Sequence, residues 1–157
     1  MVPIFEGLEL VQGHLQMMNL NLDSQPFRLK RFLENDEFNR QYDVIFIDSP
    51  PTISSYTKVS LLASDAYVVP MKPDYLSFFG LPLLQNYVQN LEREFAVSLD
   101  FIGIVLSMVN TSQRIYKDIK SQLDANDGWN NKLFENQIKQ AVEISRTVSS
   151  DDVEERM

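Results

Sequence analysis

The sequence predicts an α/β fold with a mainly parallel sheet flanked by helices. Two strongly apolar runs, Val44–Ile47 and Phe101–Met108, are expected to be strands, because strands covered on both faces by helices carry few polar residues. Between them, the apolar residues of Leu81–Phe95 recur every three or four positions, which is typical of a helix with one buried face. Strands that alternate with helices of this length favour a parallel sheet.

The first third of the chain is predicted to contain two strands and one helix. Leu8–Val11 is a short strand closed by Gly13, and Phe27–Phe38 is a helix with apolar and charged residues interleaved. Asp43–Asp48 is an apolar run with an acid at each end, as expected of a buried parallel strand. The two prolines of Ser49–Thr52 remove backbone donors, so this segment is expected to be a stiff loop.

The later elements alternate between helix and strand. Ligands of such sheets bind outside the carboxyl ends of the strands, so Asp48, Lys72–Asp74 and Asn110 are the positions where a site is expected. We predict, in order, helix Ser55–Ala63, strand Ala66–Pro70, loop Met71–Asp74, helix Leu81–Phe95, strand Phe101–Met108, helix Ser112–Ala125, a short strand or loop at Lys132–Phe134 and helix Ala141–Thr147.

Composition excludes several classes of site. The chain has 157 residues with 14 basic and 22 acidic side chains, a net charge of −8 that disfavours tight DNA binding by the chain alone. It has no cysteine, which excludes disulfides, thiolate metal sites and thiol nucleophiles and fits a reducing cytosol. No linker-like stretch divides it, so we expect one domain over residues 1–148 and an acidic tail over residues 149–157.

Asp48 is the residue most directly suggestive of chemistry. An apolar strand that ends in an acid describes a Walker B element, whose carboxylate holds Mg²⁺ beside nucleotide phosphates. The alternative is an ordinary loop acid, since Asp is common after any buried strand. The double proline that follows adds specificity, because it forces an extended turn where a nucleotide-sensing loop would lie.

Several motifs in a fixed order carry a resemblance to a known family. Tyr42–Pro51, Leu61–Asp65 and Val68–Tyr75, followed by Phe79–Leu81 and Ile102–Asn110, resemble the ParA/MinD-type ATPases that partition plasmids and chromosomes. The resemblance runs from about Leu8 to Ser145. It implies a P-loop NTPase-like fold, ATP and Mg²⁺ as cofactors, and ATP hydrolysis coupled to dimerisation and DNA binding.

The resemblance assigns roles to individual residues. Asp48 would be the catalytic Walker B acid and the Mg²⁺ ligand, and Ser49–Thr52 the switch loop that senses the γ-phosphate. Asn110 would face the adenine edge, although its residue type is equally suited to capping the following helix. Within the switch loop, Ser49, Pro50 and Pro51 would contact the nucleotide. Pro73, Asp74 and Tyr75 would lie beside the nucleotide or at the dimer face. The candidates for DNA binding are Arg114, Lys117 and Lys120, with Ser112 where the family usually has arginine. The alternative for these three basic residues is a solvated helix face.

A phosphate-binding loop is missing from the sequence. Such a loop needs closely spaced glycines and a lysine, but none of the five glycines of this chain is followed by lysine. The chain therefore resembles the C-terminal portion of such an ATPase, an incomplete fold without the first strand, and we expect it to be inactive alone. Without that strand, Val44–Ile47 and Tyr67–Val69 would either pair directly or leave two apolar edges exposed, an aggregation liability.

The partners follow from the same resemblance. They are a second copy of the chain (a homodimer or association through exposed sheet edges), non-specific DNA, and a centromere-binding adaptor, in the cytoplasm and at the nucleoid. The acidic C-terminus does not resemble a basic membrane helix, so no membrane partner is expected. The alternative function is a non-catalytic interaction module that modulates a full-length ATPase.

Overall fold

The computed structural model describes residues 2–11, 13, 21–35 and 41–140. The chain divides into two compact units, Met1–Ala63 and Ser64–Met157. The predicted helix Ala141–Thr147 and the acidic tail at residues 149–157 lie outside the described residues. None of the helices in the described part of the chain is long and apolar enough to span a membrane.

The described residues of the first unit form a hairpin and two short helices. β1 (Val2–Phe5) pairs antiparallel with β2 (Leu8–Leu10), so the predicted strand at Leu8 is confirmed. Gly7 has φ +83° in the turn between them, a conformation that glycine adopts without steric cost. α1 (Arg28–Leu33) is shorter than the predicted helix, and α2 (Ser55–Leu62) agrees with its prediction.

The predicted strand at Asp43–Asp48 is wrong. Residues 44–50 have no regular secondary structure, and the side chains of Val44 and Phe46 are 66% and 92% exposed. A strand is stabilised by backbone hydrogen bonds to a neighbouring strand, and none of the strands among the described residues pairs with this segment. Apolar composition predicts that a segment can be buried in a sheet, but a strand also requires a neighbouring strand with which to pair.

The second unit contains a β–α–β unit followed by a helix. β3 (Ala66–Met71) and β4 (Asp100–Leu106) are parallel neighbours, with Ala66 opposite Asp100 and Met71 opposite Leu106. α3 (Tyr75–Phe95) connects them, and α4 (Arg114–Asp124) follows β4. The predicted α/β class with parallel strands is therefore confirmed, and each predicted element between residues 66 and 125 is present with shifted ends.

The core of the second unit lies on one face of this two-stranded sheet. Met71, Ile104 and Leu106 face the buried side of α4, whose apolar residues repeat every three or four positions. On the other face, Val68 and Ile102 remain 43% and 50% exposed. The buried cluster consists of Met71, Leu81, Ile104, Leu106, Val109, Tyr116, Ile119, Leu123 and Trp129.

α3 begins six residues before the predicted start at Leu81. The predicted start followed the apolar residues that recur every three or four positions from Leu81 onwards. The structure has Pro82 inside the helix, whose N-cap is Asp74. The early start follows from this cap, because its carboxylate accepts from the Ser77 N–H at 2.8 Å.

The segment after α4 closes over β4. A 3₁₀ turn at Asn130–Lys132 leads to a parallel bridge between Leu133 and Ile104. Of the predicted short strand or loop at Lys132–Phe134, the structure therefore has a loop with one bridge. The Lys132 ammonium donates to the Phe101 carbonyl at 2.8 Å. Gly103 permits this close approach, since a Cβ there would lie 2.3 Å from the Lys132 carbonyl oxygen.

β3 has only one strand neighbour within the described part of the chain. β4 occupies one edge, and the described residues provide no strand for the other.

Candidate functional site

The loops after β3 and β4 lie at the same edge of the sheet. The Ser107 N–H donates to the Met71 carbonyl at 2.9 Å, so the ladder continues to the point where both strands end. Pro73 and Asp74 follow β3 after one residue, and Asn110 follows β4 after three. Because the strands are parallel, this edge is the position where α/β sheets bind ligands.

Asp74 is engaged as a helix cap. Its carboxylate accepts from the Ser77 N–H, which together with the charge of Lys72 lowers the pKa of Asp74 below its usual value. Pro73 is buried and Tyr75 exposed. The prediction that Pro73 and Asp74 lie beside a nucleotide stays a prediction, and the structure adds a capping role for Asp74.

The side-chain oxygen of Asn110 forms a local turn with Ser112, and its amide nitrogen is left for a ligand. Its side-chain oxygen accepts from the Ser112 N–H at 3.1 Å and from the Ser112 hydroxyl at 2.6 Å. The N-cap of α4 is Gln113, so the alternative prediction that Asn110 caps this helix is wrong. No hydrogen bond from the Asn110 amide nitrogen to another described residue is found, and this nitrogen has two donors for a ligand.

The segment with Asp48 belongs to the first unit. Asp48 and Ser49–Thr52 are exposed. The end of the loop is fixed by α2, because the Thr57 hydroxyl donates to the Thr52 carbonyl at 2.5 Å and Ser54 caps the helix. The loop is therefore fixed at its carboxyl end and exposed from Asp48 to Thr52.

The donor chemistry of this segment fits Mg²⁺ only together with a phosphate ligand. Among the described residues, no group of three or more His, Cys, Asp or Glu side chains could hold a metal ion. Mg²⁺ is held in nucleotide sites by one or two carboxylates together with phosphate oxygens and water. Asp48 offers one exposed carboxylate. One carboxylate is enough for a Mg²⁺ ion that is also held by phosphates, but not for a metal site made of protein ligands alone.

A polar cluster at the start of α2 was not predicted from the sequence. The Asp23 carboxylate pairs with the Lys58 ammonium at 2.7 Å and accepts from the Ser55 hydroxyl at 2.8 Å. The bond from Lys58, and then that from Ser55, lowers the pKa of Asp23. The cluster fixes the segment before α1 against the helix that follows the switch loop. A separation of 35 residues leaves no sequence pattern that could have revealed it.

The three predicted DNA-binding residues lie on α4, on its solvent-facing side. Arg114 pairs with Asp118 at 3.7 Å and Lys120 pairs with Asp124 at 2.9 Å, each one helical turn away. Lys117 is exposed between them. The acids partly neutralise the basic side chains, so this surface has a weaker positive potential than the basic residues alone suggest.

Comparison with known proteins identifies the family. A model of the AAA domain family matches residues 4–101, more than half of the chain. The chain is 33% identical to the cell division protein PomZ of Myxococcus xanthus, a match that covers 71% of this chain and 36% of PomZ. It is 28% identical to the sporulation initiation inhibitor protein Soj of Bacillus subtilis, over 92% of this chain and 57% of Soj.

The chain belongs to the ParA/MinD-type family of partition ATPases. It spans from about a third to somewhat more than half of the length of these curated relatives. The predicted family is thereby confirmed.

Solved structures support the fold. A plasmid partition protein from Borrelia burgdorferi bound to AMPPNP superposes with a TM-score of 0.65 at 19% identity, over 90% of this chain and 56% of that one. Apo McdA from Cyanthece gives a TM-score of 0.69 at 17% identity, over 90% of this chain and 61% of that one. At this identity the likeness establishes the P-loop NTPase-like fold and nothing finer.

Proposed function

We propose that this chain supplies the Walker B acid, the switch loop and the adenine side of an ATP site in a ParA-like partition ATPase. Asp48 holds Mg²⁺ together with the nucleotide phosphates, and Ser49–Thr52 responds to the γ-phosphate. Asn110 recognises the adenine edge. Pro73 and Asp74 hold the neighbouring loop in place beside the nucleotide.

The observation that carries the proposal is the amide of Asn110 at the carboxyl edge of β4. Ser112 fixes the side-chain oxygen of Asn110, which sets the direction of the amide without using its two N–H donors. A base edge is recognised by donors of this kind held in a fixed orientation. The family membership of the chain supports ATP as the ligand, since one solved relative carries AMPPNP.

Magnesium has a limited part in this proposal. When bound with ATP, it would neutralise charge on the phosphates. The chain would contribute the Asp48 carboxylate and orient it by the stiff double-proline turn that follows. Ser54 and Thr57 hold the far end of the switch loop, so a movement of Ser49–Pro51 is transmitted into α2.

Titration with a fluorescent ATP analogue and Mg²⁺ tests this site. We expect micromolar affinity that falls about tenfold in Asn110→Ala, because the hydrogen bond from the amide nitrogen to a ring nitrogen of the base is lost. A matched control is Asn126→Ala, which removes an amide that bonds only the local turn at Gly128.

Two results would contradict the proposal. One is the absence of nucleotide binding at millimolar ATP, which would favour the alternative of a non-catalytic interaction module. The other is binding that Asn110→Ala leaves unchanged. We expect no ATP hydrolysis above background by the 157-residue chain, since none of its glycines is followed by lysine. A rate that disappears in Asp48→Ala would contradict that expectation.

The partners in the cell are part of the same proposal. We expect non-specific DNA to contact Arg114, Lys117 and Lys120, a centromere-binding adaptor to regulate the ATPase, and a second copy to complete the functional dimer. The place of action would be the cytoplasm, at the nucleoid. The supporting facts are the family membership and the basic side chains of α4.

A further inference from the structure

We infer that Ser112 is a positioning residue that makes the base contact of Asn110 independent of the amino group at position 6 of adenine. The inference rests on the proposed nucleotide site and names the ligand class of its base contact. That class is purine nucleotides with a ring nitrogen as acceptor, whether or not they carry the 6-amino group. Both side chains lie in the loop between β4 and α4.

The orientation of the Asn110 amide follows from its two contacts with Ser112. The Ser112 backbone N–H donates to the amide at 3.1 Å, and because a backbone N–H can only donate, the atom that it contacts is the side-chain oxygen. The Ser112 hydroxyl lies 2.6 Å from the same oxygen, which carries no hydrogen, so the hydroxyl also donates. The amide nitrogen is therefore the atom that remains for a base.

The two bonds from Ser112 use the acceptor capacity of the Asn110 amide. An amide oxygen has two lone pairs, and the Ser112 N–H and hydroxyl take one each. When asparagine binds adenine by two hydrogen bonds, its nitrogen donates to N7 of the base and its oxygen accepts from the 6-amino group. In this arrangement Asn110 can donate to a ring nitrogen, but its oxygen has no lone pair left for the amino group.

The hydroxyl of Ser112 is the part of this arrangement that depends on residue type. A backbone N–H is present at position 112 with any residue except proline, whereas the second donor requires a hydroxyl side chain. Without that hydroxyl, one lone pair of the Asn110 oxygen becomes free to accept from a 6-amino group. The side chain at position 112 therefore determines whether Asn110 contacts one atom of adenine or two.

Two nucleotides that differ only at position 6 of the base test the inference. They are ATP and purine riboside triphosphate, which has hydrogen in place of the amino group, and each displaces the fluorescent ATP analogue from the 157-residue chain with Mg²⁺ present. We expect Asn110→Ala to weaken the binding of both nucleotides by the same factor. A loss for ATP that is at least about threefold greater than the loss for purine riboside triphosphate would overturn the inference.

Substitutions at Ser112 give a second measurement. Ser112→Ala removes the hydroxyl and keeps the backbone bond, so the preference for ATP over purine riboside triphosphate should rise about three- to tenfold, the effect of one hydrogen bond. Ser112→Thr is the matched control, because threonine retains a hydroxyl and the exposed site has room for its methyl group. We expect this variant to keep the preference of the unmodified chain. An unchanged preference in Ser112→Ala, or equal rises in the two variants, would overturn the inference.

The double variant of Asn110→Ala with Ser112→Ala tests whether Ser112 acts through Asn110. The rise in preference for ATP should disappear in it, because the oxygen that would accept from the amino group is gone. A rise that persists would overturn the inference. Circular dichroism confirms that each variant is folded.

The same titrations separate this inference from the proposed function. If neither nucleotide binds, or if Asn110→Ala weakens neither, the proposed site is wrong and so is the inference. If both nucleotides bind and Asn110→Ala weakens ATP alone, the proposed site stands and the inference is overturned.

Discussion

Asp74, at the carboxyl edge of the sheet formed by β3 and β4, stabilises the fold in the absence of any ligand. Its carboxylate caps the longest helix described in the chain, so the loop after β3 is held in one conformation. The sequence suggested a nucleotide-proximal role for Asp74 and no cap, because the apolar repeat placed the helix start at Leu81.

Replacing Asp74 by alanine should destabilise the second unit by about 1 kcal/mol, the usual effect of losing an N-cap. Asp74→Ser is the control, because serine also accepts from the Ser77 N–H. Urea unfolding followed by circular dichroism measures the difference. Equal stability of the alanine and serine variants would show that the cap contributes nothing.

The charge of Asp74 predicts a pH dependence. The fold lowers the pKa of Asp74 from 3.8, first through the Ser77 N–H, so its ionised form is favoured in the folded state. This contribution is complete well above pH 3.8, and it is lost as the pH falls through the lower folded pKa. Asp74→Asn should therefore lose less stability than the unmodified chain between neutral pH and about pH 2. The comparison uses urea midpoints across that range, and parallel curves for the two chains would contradict it.

At the scale of elements, Gly103 decides how the end of the chain packs on β4. A Cβ at this position would meet the Lys132 carbonyl oxygen at 2.3 Å and the Phe134 ring at 2.9 Å. The backbone atom cannot move aside without breaking the Leu133–Ile104 bridge. Gly103→Ala should therefore cost about 1–3 kcal/mol through overpacking.

Gly80 provides the matched control for that prediction. It lies inside α3, where a Cβ would have no atom within 4 Å beyond the neighbouring residues and backbone of its own helix, so Gly80→Ala should stabilise the helix by about 0.5–1 kcal/mol. Thermal unfolding of the two variants should shift in opposite directions. Shifts of the same sign would show that the close approach at Gly103 is not what limits the size of the residue there.

Pro82 permits a second test on α3. It lies in the helix interior, where proline removes the N–H that would donate to the Phe78 carbonyl. Because the side chain is exposed, Pro82→Ala should raise stability by about 1–3 kcal/mol without leaving a cavity. Chemical denaturation measures the change. A decrease would mean that the proline ring makes contacts that matter more than the missing hydrogen bond.

The same elements show how far the sequence alone could predict the structure. Periodicity located the helices and strands between residues 66 and 125, because each of them has its packing partner within the second unit. It failed at Asp43–Asp48, where the apolar pattern is that of a buried strand but no strand of the described residues pairs with it. The Asp23–Lys58 pair could not be predicted either, since it joins residues that only the folded chain brings together.

For the candidate site, the sequence predicted the positions of two residues but not their contacts. The rule that ligands bind after parallel strands selected Asp74 and Asn110 correctly as residues of one sheet edge. It could not reveal that a cap engages Asp74, or that Ser112 fixes the oxygen of Asn110 and leaves its nitrogen available. Such details depend on loop conformation, which local sequence specifies weakly.

At the scale of the whole molecule, net charge opposes the proposed binding of DNA. The chain carries −8 overall, and two of the three basic residues on α4 pair with acids one turn away. Binding to DNA must therefore depend on a small number of phosphate contacts and be sensitive to salt. We expect weak, sequence-independent binding at low ionic strength that is lost near physiological salt.

The salt dependence of the binding constant measures how many phosphate contacts the protein makes. With at most three basic side chains on phosphates, a plot of log K against log salt should have a slope no steeper than about −3, and Lys117→Ala should make it shallower by about 1. Arg93→Ala is the matched control, because Arg93 is an exposed basic residue on α3 whose guanidinium bonds Asn90. Fluorescence anisotropy with two duplexes of unrelated sequence measures both slopes. A steeper slope, or an equal effect of the two variants, would place the DNA surface elsewhere than α4. An unchanged slope in Lys117→Ala alone would leave Arg114 and Lys120 as the contacts, which requires that DNA displace their acidic partners.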